Sequence, residues 1–375
     1  MCRLWLVCAL APVLALAQPQ NADLQGYQDG RTALDNLQWQ KAIGSFQGLS
    51  AGSAQAEGAL YWKAFALYMQ GQGREALASI AELRKSFPQS GWLPDADRLA
   101  TAISQNAGAD TSTRKQGSAD ERQRALAHRV REDPTHAVAI LRETAFGVDL
   151  PGVRQKALYS LSRDSSPQAR ETVLQVARGA ANPDLQSYAI SQLGKTDPQA
   201  VFDLYKLVDN NVKSFILAVF MSNRETARLM RIAASENSDD LRYQALGSLV
   251  EVGSEAQVMQ SLQLENAADV KMLIETRLAN LHKWVAEQLV ALRTERGPRE
   301  RRAGAIGLTQ GGDESTDRAL VAAYSSEKDP DVKGAIVFAL SERRAFSALE
   351  AMERNETDPV LKRSMSMALE GVRSK

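Results

Sequence analysis

Few residues in this chain have the type and spacing that chemistry needs. Gly48-Leu49-Ser50-Ala51-Gly52 follows the G-x-S-x-G pattern of a nucleophile elbow, but an elbow exposes its serine only between a strand and a helix. Here the pentapeptide joins two segments of helical periodicity, so Ser50 reads as a turn residue. Asp329-Pro330-Asp331-Val332-Lys333-Gly334 opens like a calcium loop, with acids at its first and third positions and glycine at its sixth. Its fifth position is Lys333 and its twelfth is Leu340, which would leave Ca²⁺ short of oxygen ligands; a helix start explains the segment better. The three histidines, His128, His136 and His282, stand apart from one another, with no H-E-x-x-H pattern. Neither a Walker loop nor a dinucleotide fingerprint occurs. The sequence assigns no catalytic, cofactor-binding or metal-ligating residue, and no cofactor is expected.

Charge narrows the partners. The 45 Lys and Arg residues balance 45 Asp and Glu, which leaves no net field to steer the chain to nucleic acid or an anionic membrane. Arg3 precedes an almost unbroken apolar run from Leu4 to Leu14, and Ala15-Leu16-Ala17 puts small side chains at both positions that a signal peptidase reads. This predicts a leader cleaved after Ala17 and a periplasmic or secreted mature chain. The run is shorter than the roughly 20 residues a membrane-spanning helix needs. Cys8 follows Leu6-Val7, not the small residue of a lipid-attachment site. Cys2 and Cys8 both fall within the leader, so the mature chain has no thiol and must be held by packing alone.

The elements that position everything else are helices. Ala, Leu, Gln, Glu and Arg dominate, with few β-branched runs and twelve prolines in 375 residues. In the N-terminal part Gly30, Ala42 and Phe46 recur 34 residues later as Ala64, Ala76 and Ile80. The small residues let antiparallel helices approach closely, and Phe46 and Ile80 fill the gap between hairpins. Gly71-Gln72-Gly73 supplies a turn, and Phe87-Pro88 ends the second hairpin. Trp92 to Ile103 is expected to form a capping helix. On Ala64, Gly71, Ala76 and Pro88, this stretch resembles the TPR modules of bacterial envelope proteins. Leu37 departs from that pattern, standing where a turn glycine is usual.

Residues 106–121 are polar and small with no apolar anchor, which predicts a flexible linker. Beyond it one helix recurs with apolar residues at i, i+4 and i+8: Val153-Ala157-Leu161, Leu185-Ala189-Leu193, Val212-Ile216-Phe220, Leu241-Ala245-Leu249, Val270-Ile274-Leu278, Val332-Ile336-Leu340 and Leu361-Met365-Leu369. The wider gap before Val332 implies an eighth copy around Arg301 to Thr309. Turn or cap residues such as Asn182-Pro183 and Asp329-Pro330 introduce the copies, and second amphipathic stretches lie between them. The unit is a helical hairpin of about 30 residues that buries its apolar face only by stacking on neighbours. Its Asp-Pro-x-Val-Lys-x-Ala and Val-Arg-x-x-Ala-Leu patterns resemble short HEAT repeats of the lyase-associated type, a likeness specific for fold and nearly silent on activity.

The expected architecture is an all-α, α-α superhelix: leader 1–17, TPR-like domain 18–105, linker 106–121 and HEAT-like solenoid 122–375. Two features point to binding a protein or peptide partner and not to catalysis. Trp39, Trp62 and Trp92 cluster with Tyr27, Tyr61, Phe65, Tyr68 and Phe87 in the first domain. Tyr61 and Trp62 are adjacent on a helix and cannot share a face, so one of them is the candidate for an exposed contact. The second feature is a basic residue after the first apolar position of each repeated helix: Arg154, Lys213, Arg242, Lys271, Lys333 and Lys362, with Gln186 the exception. Stacking aligns them into a ladder that either pairs with Asp209, Asp239, Asp269, Asp329 and Asp358 or receives an acidic partner. The alternatives are a HEAT-fold enzyme or enzyme accessory subunit, which needs clustered titratable groups in a pocket, and a nucleic-acid reader, which needs a basic concave face.

Overall fold

The computed structural model describes residues 18–105, 117–293, 297–309 and 314–373. Among the described residues the chain is all helix, with no strand. The expected leader, 1–17, lies outside them, as does all of the expected linker except 117–121. The chain divides into two compact units, Met1–Leu204 and Tyr205–Lys375.

The first unit opens with two hairpins, α1 (Gln18–Asp35) with α2 (Trp39–Gln47) and α3 (Ala56–Met69) with α4 (Gly73–Ser86), followed by the single helix α5 (Leu93–Gln105). The small residues do what their spacing predicts. Ala42, Ala64 and Ala76 are completely buried, and a Cβ on Gly30 would sit 2.5 Å from the Phe46 ring. Leu37, despite its side chain, takes the same left-handed conformation as Gly71, with φ of 59° against 84°. Both turns make the same pair of closing bonds, Leu37 N–H to Leu34 O with Gln38 N–H to Ala33 O, and Gly71 N–H to Tyr68 O with Gln72 N–H to Leu67 O. Packing of Leu37 against the core offsets the strain.

The unit continues through α6 (Ala119–Glu132), α7 (Ala137–Phe146), α8 (Pro151–Ser162), α9 (Pro167–Gln175), α10 (Pro183–Thr196) and most of α11 (Pro198–Tyr205). Ser118 and Glu121, read as the end of a linker, form a capping box that starts α6. Nor does the core stop at residue 105: Ala119, Leu150 and Val153 belong to the same buried cluster as Trp62 and Leu99. The boundary between compact units falls some eighty residues later than the polar segment suggests.

In the second unit α12 (Asn210–Ser222), α14 (Asp239–Val252), α16 (Ala268–Arg293), α19 (Pro330–Glu342) and α21 (Pro359–Arg373) carry the recurring apolar triplets, and α17 (Pro298–Gly307) stands where the implied eighth copy was expected. Val332, Ile336 and Leu340 are completely buried. α12 packs on α14, α14 on α16, α17 on α19 and α19 on α21. The alternate helices α13 (Thr226–Ser235), α15 (Glu255–Leu264), α18 (Glu314–Ser326) and α20 (Phe346–Asn355) complete the hairpins. One hairpin is missing. α16 runs for 26 residues without a turn, because the stretch after Leu278 holds no glycine or proline to break it.

Candidate functional site

Neither Tyr61 nor Trp62 is an exposed contact: each is 1% exposed. The rule that neighbours on a helix point apart holds, but α3 is buried all round. Trp62 stacks edge-on against Phe65, and both Tyr61 and Trp62 meet Trp92 at ring-centroid distances of 5.1 and 5.8 Å. The indole N–H of Trp62 donates to the Tyr27 hydroxyl at 3.1 Å, and that hydroxyl donates to Asp184 on α10 at 2.8 Å. These aromatics are core.

The basic ladder has three fates. Arg154, on α8, is 1% exposed and paired at 2.5 Å with Asp95 of α5, itself 1% exposed. Its Nε donates to the Ala145 carbonyl, and Asn182 donates its amide N–H to the same Asp95 carboxylate at 2.6 Å. Burial opposes ionisation of Asp95, but Arg154, Arg98 and Asn182 outweigh it and hold the carboxyl below its ordinary range. Asp95, with Tyr61 and Asp149 adding to it, keeps Arg154 charged against its burial. One guanidinium nitrogen, Nη2, is left without a partner.

In the second unit Lys213 and Arg242 of the ladder, and Arg301 on α17, pair with glutamates and not chiefly with the expected aspartates. Lys213 reaches Glu236 at 3.0 Å, Arg242 reaches Glu265 at 3.0 Å, and Arg301 reaches Glu327 at 2.7 Å. Each glutamate follows the second helix of the hairpin whose first helix carries the cation. Its other oxygen accepts the next two backbone N–H groups, as Glu327 does from Lys328 and Asp329 at 2.8 and 2.9 Å. Glu356 makes the same turn bonds to Thr357 and Asp358. It accepts from the Tyr324 hydroxyl, whose ring lies under the Lys333 ammonium at 4.7 Å. Tyr205 repeats this arrangement with Glu236 and Lys213. The aspartates expected as partners mostly do something else: Asp209, Asp329 and Asp358 cap their own helices by accepting backbone N–H bonds, and among the described residues Asp239 alone of them pairs with its cation, Arg242. Lys362 makes a marginal contact with the Glu356 carbonyl at 3.5 Å, and exposed Lys271 has no ion-pair partner among the described residues.

The elbow-like Ser50 sits in the turn between α2 and α3, its N–H donating to Asp23. The histidines are exposed and scattered, next to Glu132, Asp133 and Glu255 respectively.

With these side chains spent on the fold, the surface feature that stands out is on α16. At about 100° per residue, Val270, Ile274, Leu278, Leu281, Val285, Leu289 and Leu292 fall within one arc, which faces the core. Met272 and Val290 fall on the opposite side, exposed to 60% and 58%, and Leu273 and Trp284, also exposed, lie along one flank of the core arc, with Thr276, Lys283 and Glu287 exposed among them. Met272 and Val290 lie five turns apart, so the outward stripe is about 27 Å long. On neighbouring α15, Met259 and Leu264 are also exposed. No described helix is long and apolar enough to cross a membrane.

No family model matches this chain, and no curated protein matches it. A search of solved structures returns the UNC-45 chaperone, described there for its binding and folding of muscle myosin; the alignment covers 92% of this chain and 51% of that one, at 10% identity and a TM-score of 0.22. This chain thus spans about half the length of that chaperone chain, and an overlay this loose carries no argument about either fold or role.

Proposed function

We propose that this chain is an exported, non-catalytic scaffold whose TPR-like and HEAT-like hairpins bind a protein partner, and that the outward stripe of α16 is the contact surface. The observation that carries the reading is that α16 leaves four large apolar side chains, Met272, Leu273, Trp284 and Val290, exposed outside the core. A helix on the surface of a folded unit ordinarily turns a polar face outward; several large apolar side chains exposed on one helix mark an interaction surface. Methionine at one of these places, with a second at Met259 on α15, suits a face that adapts to its partner. Export rests on the leader-like residues 1–17.

A photo-crosslinking amino acid at Met272 or Val290 tests this reading. Adducts with a polypeptide are expected from both positions in an envelope extract, and none from Leu77 on α4. Met272→Glu with Val290→Glu should abolish capture at intact melting temperature. Absence of any adduct from the stripe overturns the scaffold reading. N-terminal sequencing of the fractionated protein should begin at Gln18; Met1 on a cytoplasmic chain overturns export.

A further inference from the structure

Two of the hairpin turns in the second unit are alike in a way their sequence does not require. Arg224, between α12 and α13, and Arg344, between α19 and α20, both hold positive φ, 56° and 58°. Both close the same bonds: Arg224 N–H to Met221 O with Glu225 N–H to Phe220 O, and Arg344 N–H to Ser341 O with Ala345 N–H to Leu340 O. A glycine occupies this conformation freely, whereas any residue with a Cβ is disfavoured there. Leu37 shows that the position tolerates a side chain when the side chain packs on a core. These two arginines do not; both line one cleft of about 590 Å³, together with Arg277, Glu251, Glu342 and Thr309.

Although 120 residues separate them in sequence, the two turns meet. Arg224 donates to the Glu342 carbonyl at 3.1 Å. Most of the nearby carboxylates are already committed: Glu251 to Arg277 at 2.6 Å and Asp317 to Arg343 at 2.5 Å. Arg224 has a neutral carbonyl as its side-chain partner, and Arg344 has no ion pair among the described residues. Burial first, then the charges of Arg344 and Arg343, push the Arg224 guanidinium below its ordinary range, against the weaker pull of Asp317 and Glu342. The cleft is short of negative charge at the point where two strained side chains converge.

We propose that this cleft is an anion site for an acidic peptide, with Arg224 and Arg344 clamping a side-chain or terminal carboxylate. The proposal rests on the reading of this chain as a protein-binding scaffold, through a cleft that borders α16 at Arg277 but is centred on the two arginine turns. Guanidiniums pair with carboxylate in a planar, two-bonded geometry. A carboxylate is favoured over a phosphate because Glu342 and Glu251 also line the cleft and repel a dianion more strongly than a group with one charge.

The test uses the whole mature chain and a fluorescein-labelled oligoglutamate, read by anisotropy at low salt. Binding is expected to weaken with added salt and to fall at least tenfold in the double variant Arg224→Gly with Arg344→Gly. Glycine relieves the left-handed conformation, so the melting temperature of that variant should stay level or rise, and Arg224→Lys with Arg344→Lys should restore part of the affinity. No binding by the unaltered chain overturns the proposal. So does equal binding by the glycine variant, or a melting temperature that falls in it, which would make the arginines structural. Competition by inorganic pyrophosphate as effective as that of unlabelled oligoglutamate overturns the peptide assignment. None of these outcomes depends on the stripe, so a crosslinked partner at Met272 without oligoglutamate binding would sink this inference and leave the scaffold reading standing.

Discussion

The two units fasten their hairpins with different chemistry, although the cation stands at the same place on the repeated helix. In the first unit Arg154 is sealed inside and reaches across to Asp95 on the lone helix α5, with Asn182 of α10 completing the junction. In the second unit Lys213, Arg242 and Arg301 stay near the surface and reach glutamates within their own hairpins. The first junction occurs once and joins three different elements; the second recurs and joins like to like. A position in a repeat therefore sets where a side chain starts, and the neighbour it meets decides what it does.

That comparison is most easily broken at Asp95. Its removal would leave Arg154 buried without a counter-charge, a change that typically costs about 3–5 kcal/mol. Asp95→Ala should show this as a large fall in the midpoint of urea unfolding of the first unit. Replacing both partners by apolar residues of similar size, Asp95→Leu with Arg154→Met, should cost less than either single change, since a buried pair is often no better than the apolar contact that replaces it. A double variant as unstable as the worse single would mean that the remaining partners, Arg98, Asn182 and Tyr61, depend on the charges as much as the pair does.

Acid should act on the second unit's glutamates in a way that one substitution can isolate. Arg301 first, with burial opposing and the N–H groups of Asp329 and Lys328 assisting, holds the Glu327 carboxyl down to about 2. Glu236, Glu265 and Glu356 are lowered as well. A carboxyl with a folded value below its unfolded one stabilises the fold at higher pH, and that stabilisation is lost as pH falls from the ordinary range near 4.5 toward 2. Melting measured across this window should therefore fall less steeply for Glu327→Gln than for the unaltered chain, while at neutral pH the variant should melt lower by several degrees. Parallel curves would show that Glu327 does not differ between the folded and unfolded states.

How much of this was readable before the structure depends on how far a residue's partner lies along the chain. The 34-residue spacing of Gly30 and Ala64, and the apolar triplets from Val153 to Leu369, are local patterns, and the helices they predict are present. Tyr61 and Trp62 were misjudged because helical geometry says that neighbours diverge but not whether both directions are covered; α5 and the Trp92 ring cover the side that α1 does not. The glutamates were missed because each pairs with a cation 23 or 26 residues earlier. A sequence signal did exist: Glu236, Glu265, Glu327 and Glu356 each stand six residues before a ladder cation, in the turn that their carboxylates brace. The exposed apolar residues of α16 do not stand out in the sequence, since Met272 and Leu273 are interleaved with the core triplet Val270-Ile274-Leu278.

The finest distinction is between two cations that the sequence treats as equivalent. Arg242 contacts Glu265 through two nitrogens, at 3.0 and 3.3 Å, donates to the carbonyls of Glu236 and Asn237, and pairs with Asp239. Lys271, one repeat later, has no ion pair among the described residues, because α16 continues where the turn and its glutamate would stand. Arg242→Gln should therefore cost about 1–2 kcal/mol, the worth of a few charge-assisted bonds at a partly screened site, which for a unit of this size is roughly 2–4 °C per kcal/mol. Lys271→Gln should stay within about 0.5 kcal/mol, as surface changes without such contacts do. Thermal melts of the two single variants, side by side in the same low-salt buffer, read the difference directly. Equal losses would mean that the ladder acts through its general field and not through the glutamate contacts, and no loss from either would reduce the second unit's fasteners to a solvated face.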